Sequence, residues 1–123
     1  MSERLKVLEN WLNRWISYVN EKYGLNLNNV EVEVFDDVPT EGGFELIMMR
    51  LENTVLLNRE VLNWKNEEIK ALMLKNLFTS LNPKDREVFL KAVDERDGRE
   101  VYQKLLKLTQ SGKFWRSFLH FFR

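Results

Sequence analysis

The chain has no cysteine, a single histidine, two prolines and five glycines in 123 residues. Without cysteine there is no disulfide, thiolate nucleophile, cysteine-ligated zinc or iron–sulfur cluster, and the reducing cytoplasm is the expected compartment. His120 is the one histidine, so no pair of imidazoles can meet on a metal within one chain. The few glycines form no phosphate-cradling loop, and there is no serine nucleophile elbow. No stretch approaches the ~20 apolar residues of a membrane helix, and the charged N-terminus lacks the apolar centre of a signal peptide. A soluble protein with no cofactor is the expectation.

What is present is enough for one globular domain. Hydrophobic residues make up 44% and aromatics 12%, and the charged 31% sum to zero. At this length folding removes roughly two-thirds of the unfolded chain's surface from water, so a core needs no covalent or metal staple. The zero net charge conceals an asymmetry. Residues 99–123 carry six Lys/Arg against one acid, whereas residues 31–68 carry three against ten. A basic end resting on an acidic middle accounts for this without an anionic partner.

Residues 2–23 carry Leu5, Leu8, Leu12, Trp15, Ile16, Val19 and Tyr23 at three- and four-residue steps, the mark of an amphipathic helix, with Ser2 as cap and Gly24 at the stop. Trp11 and Tyr18 lie off that stripe and predict a second packing neighbour. Residues 30–35 (VEVEVF) alternate as a strand with Glu31 and Glu33 outward. The turn-rich DDVPTEGG then predicts a hairpin, and residues 44–51 (FELIMMRL) read as a central strand covered on both faces. A tight Glu52-Asn53 turn and a strand over 54–58 complete a three-stranded antiparallel meander. A short helical or turn segment follows at 59–64.

The densest apolar run is residues 66–81, NEEIKALMLKNLFTSL. At about 100° per residue Ile69, Met73, Leu74, Leu77, Phe78 and Leu81, with Ala71, sweep a side too wide for a surface helix, so more than one neighbour must cover it. Glu68, Lys75, Asn76 and Thr79 fall opposite, as a solvated face. Asn66 is the expected N-cap, with Glu67 and Glu68 in the dipole-favoured first turn. Asn82-Pro83 opens the next helix, with Val88, Phe89, Ala92 and Val93 inward, and residues 94–98 end it. Two more helices are expected, one carrying Val101, Tyr102, Leu105, Leu106 and Leu108, the last being KFWRSFLHFFR. The fold expected is therefore α+β in one domain of residues 1–123: helix, sheet and central helix to 81, then a helical part over 82–123.

The order helix, strands, helix and the text NTVLLNREVLNW followed by EEIKALMLKNLFTSL resemble the small gluzincin-type zinc metallopeptidases, similar to catalytic domains of the integral-membrane M48 family, where a pattern like EELKAVLAHELGHL follows a strand and short turn. The resemblance is most specific over residues 53–81 and implies a zincin-like fold. It sets the first zinc histidine on Lys75, the general-base glutamate on Asn76, the second histidine on Thr79, and the third, glutamate ligand near Glu100. Only the last has the family's residue type. A lysine ammonium offers no lone pair and repels a cation, so the resemblance implies a degenerate scaffold with no metal and no catalytic residue. It also implies a former cleft along Lys75, Asn76, Thr79 and Glu100, beside an edge strand able to accept a peptide by strand addition.

The function expected is thus an inactive metallopeptidase homologue that binds a protein or peptide. The alternative is a small regulatory or nucleic-acid-associated protein, or a homodimer, using the basic aromatic end. There Phe114, Trp115, Phe118, Phe121 and Phe122 form a candidate interface, and Lys104, Lys107, Lys113 and Arg116 a basic strip, although the neutral total argues against nucleic acid. A carboxylate metal site at Asp36, Asp37 and Glu41 is weaker than the reading of these residues as turn formers.

Overall fold

The computed structural model describes residues 3–36 and 47–110. Helix α1 (Glu3–Tyr23) buries Leu5, Leu8, Leu12, Trp15, Ile16 and Val19, the stripe its periodicity predicts. It ends at Gly24, whose φ of 72° lies in the left-handed region and whose amide donates to Asn20 O at 3.1 Å, the αL stop. Three strands follow: β1 (Glu31–Phe35), β2 (Met48–Leu51) and β3 (Thr54–Asn58). A 3₁₀ turn (Arg59–Asn63) leads into α2 (Asn66–Thr79), and α3 (Pro83–Gln110) follows.

The fold is mixed α and β, but the sheet is not a meander. Its order is β1-β3-β2, with β1 parallel to β3 and β2 antiparallel to β3. The dozen residues between β1 and β2 do not close a hairpin. β3 lies between these two strands, and its parallel pairing with β1 is joined by a connection that includes β2. β3 takes the centre because Val55 and Leu57 are fully buried, and β2, expected there, is at an edge. The apolarity of FELIMMRL was a poor guide, since β2 turns Met48 into the core while Met49 is only half-buried and Leu51 is exposed. The tight turn at Glu52-Asn53 is as expected, with Glu52 at φ 53°.

One face of the sheet, with Val32, Val55, Leu57 and Met48, joins the core made with the helices. Helix α2 lies inside that core, packed chiefly on α3 and also against β2. Every residue from Ala71 to Phe78 is buried, so the helix is enclosed all round for two turns. Asn66 is not its cap. Lys65 holds that position without a side-chain bond, while Asn66 Oδ1 accepts from Arg4 Nη2 at 3.1 Å. Arg4 Nη2 also donates to Trp64 O at 2.8 Å, and Nη1 to Leu62 O, which fixes the entry of α2 to α1.

The start of α3 is as expected: Asn82 Oδ1 accepts from the Asp85 amide at 2.9 Å, ahead of Pro83. The two helices expected across residues 83–108 run as α3, broken at Gly98, where φ is 88° and ψ 168°. Phe89, Ala92 and Val93 before the break, and Val101 and Leu105 after it, are buried. Phe89 stacks tilted on Trp15 at 4.9 Å between ring centres, and Trp15 Nε1 donates to Asp97 Oδ2 at 2.6 Å. Burial of Asp97 raises its pKa, and the Trp15 bond partly offsets that. The expected last helix, the Ser2 cap and residues 44–46 of the expected strand lie outside the described residues, as does the candidate interface at Phe114, Trp115, Phe118, Phe121 and Phe122. Among the described residues no helix is long and apolar enough to cross a membrane.

Candidate functional site

The residues singled out on α2 are not a solvated face. Lys75 is 0% exposed and Asn76 2%, and Thr79 is half-buried. The reason is the all-round burial of α2: a helix enclosed on every side buries its polar positions with the apolar ones, and periodicity alone cannot tell such a face from a wet one. Burial lowers the Lys75 pKa from its usual 10.5 to about 8, and the nearby Arg86 guanidinium pushes the same way. Lys75 thus has the burial and the depressed pKa that its expected position on a polar surface argued against.

Asn76 is held by a residue that sequence reading missed. Arg50 on β2 donates from Nη1 to Asn76 Oδ1 at 2.8 Å and from Nε to Glu52 O at 2.8 Å. The first bond sets the amide's orientation, because a flip would point its NH2 at a guanidinium. Asn76 Nδ2 is consequently a buried donor with no acceptor among the described residues. Arg50 is half-buried, and loss of water lowers its pKa from the arginine value. The available signal was a cation within the apolar run IMMRL.

Arg86, from the first turns of α3, closes the C-terminal end of α2. It donates to Phe78 O at 3.3 Å and Thr79 O at 3.1 Å, and lies over the Phe78 ring at 5.1 Å. Thr79 Oγ1 turns back to Asn76 O at 2.9 Å. The site therefore gathers Arg50, Lys75, Asn76, Thr79 and Arg86. Glu100 is not buried with them; it is exposed on α3 beyond the break at Gly98.

The sheet's two edges border different surroundings. Glu31 N donates to Asn53 O at 2.8 Å, so β1 bonds β3 through its odd-numbered residues and turns the even ones outward. Those outward groups meet α1. Val30 N donates to Asn13 Oδ1 and Val30 O accepts from Asn13 Nδ2, both at 2.8 Å, and Val32 N donates to Glu9 Oε2 at 2.9 Å. On β2, Ile47 O accepts from Asn58 N at 2.9 Å, so residues 47, 49 and 51 face β3 while the amides and carbonyls of Met48 and Arg50 point away from it.

Among the described residues no group of three or more acids, histidines or cysteines is placed to hold a metal. Asp36 pairs with Arg59 at 2.8 Å, and Asp37 and Glu41 lie outside the described residues. A shallow depression of about 480 Å³ beside α1 is lined by Asn10, Asn13, Arg14, Ser17 and Asn29, remote in sequence from every residue expected to act. Comparison of the chain with protein-family models, curated proteins and solved structures found no match.

Proposed function

We propose that this chain is a non-catalytic, zincin-like scaffold that binds an extended protein or peptide segment along the outer edge of β2. The difference between the sheet's two edges carries this reading. The β1 edge is occupied by Asn13 and Glu9, which stand where a neighbouring strand would pair, whereas β2 turns the amides and carbonyls of Met48 and Arg50 outward. An incoming strand is the natural complement to such an edge, since main-chain hydrogen bonds give affinity and alternate side chains give choice. The same strand is tied to α2 through Arg50 and Asn76, so a segment added to β2 lies beside the helix that resembles the metallopeptidase helix.

The residues at the ligand positions support binding without cutting. Lys75 is a buried amine, Asn76 cannot take a proton from water as a glutamate does, and Thr79 spends its hydroxyl on its own helix. The test is a ¹⁵N NMR titration with the capped peptide Thr-Val-Gln-Val-Thr-Val and a version N-methylated at alternate residues. Shifts at the Met48 and Arg50 amides, lost on N-methylation, are expected. Equal binding of both peptides, or shifts confined to other elements, would refute strand addition.

A further inference from the structure

The cation on β2 specifies what kind of segment fits there. Arg50 is half-buried, and the partners described for it are neutral oxygens, Asn76 Oδ1 and Glu52 O. Asn76 contributes a buried NH2 donor that has no acceptor among the described residues. The ion pairs described among these residues, Lys22–Glu95, Arg59–Asp36 and Arg99–Asp94, do not include Arg50. Arg50 is thus a half-buried positive charge with a buried NH2 donor beside it, an arrangement that favours an anion.

Strand geometry says where that anion would come from. Arg50 and Met48 project to the sheet face that α2 covers, so alternate residues of a strand paired on β2 project to the same face. A carboxylate at one of those positions comes within reach of the Arg50 guanidinium. We infer that the segment received by β2 carries an aspartate or glutamate on its α2-facing side, bound by Arg50 and Asn76. This rests on the strand-addition reading and narrows it to acidic extended segments.

The experiment titrates the ¹⁵N-labelled full chain with three capped peptides, Thr-Val-Xaa-Val-Thr-Val with Xaa as Glu, Gln or Lys, at low and high salt. The Glu peptide is expected to bind at least about tenfold tighter than Gln, and Lys weakest, with the Glu advantage shrinking as salt rises. Arg50→Met should erase the Glu preference. Asn76→Asp supplies Arg50 with an internal carboxylate and should erase it too while leaving Arg50 in place, so the conclusion does not depend on one variant's folding. Equal affinity for all three peptides, or a preference for Lys, overturns the acidic subsite and leaves strand addition standing. If no peptide moves the Met48 and Arg50 amides, strand addition itself fails.

Discussion

Lys75 shows how far one residue can depart from its sequence context. Its pKa is about 8 in the folded chain and near 10.5 when unfolded, so between those values the unfolded chain binds more protons and stability rises with pH. Below about pH 8 the whole penalty for holding the ammonium is present. Each tenfold loss of proton affinity corresponds to about 1.4 kcal/mol, so that penalty comes to about 3 kcal/mol. Lys75→Met is therefore expected to stabilise the fold at pH 7 by about 1–3 kcal/mol and to remove the rise between pH 8 and 10.5. Urea unfolding of both proteins at several pH values measures this. The difference between them is the quantity to read, because Tyr23 and Lys22 have raised pKa values and contribute stability that falls as pH climbs. Tyr23 owes its raised value first to the bond it donates to Glu95, and Lys22 to the bond it donates to Tyr18. A pH-independent gap between Lys75→Met and the parent would show that Lys75 does not titrate in that range.

At the scale of elements, two local devices decide how the chain is cut and closed. Asn13 uses both ends of its amide on Val30, finishing an edge that would otherwise be open. Asn13→Ala leaves a strand amide and carbonyl unpaired and should cost about 1–3 kcal/mol, read by thermal unfolding. Gly98 has backbone angles open essentially to glycine alone, and an added Cβ meets nothing within 4 Å. Gly98→Ala should therefore lose about 1–3 kcal/mol through the backbone rather than through a clash. Most elements were legible from the chain, since the stripe of α1, the Gly24 stop, the Asn82 cap and the 3₁₀ turn each have a local cause. Strand order was not, because nothing in a dozen turn-rich residues says whether they fold back or pass across. The site was half legible for a related reason. Lys75, Asn76 and Thr79 could be named from the resemblance, but their burial, and the parts of Arg50 and Arg86, depend on elements distant in sequence.

Across the described residues, α1 seals one edge of the sheet and α2 is buried all round for two turns, and this predicts an order of opening. The amides of residues 71–78, inside α2, and those of β3 lie deepest and should exchange with deuterium only through global unfolding. Val30 and Val32 sit on an outer strand, yet their amides donate to Asn13 and Glu9 and should be slowed well beyond what an edge position implies. Met48 and Arg50 occupy the equivalent register on the opposite edge, facing away from β3, and should exchange fastest in the sheet. A segment paired on β2 would reverse this contrast, slowing Met48 and Arg50 while leaving Val30 and Val32 as they were. Asn13→Ala provides the control, since it should free Val30 and leave β2 unchanged. If Met48 and Arg50 are already as protected as Val30 in the free chain, the β2 edge is occupied from within, and a partner could reach it only by displacing what covers it.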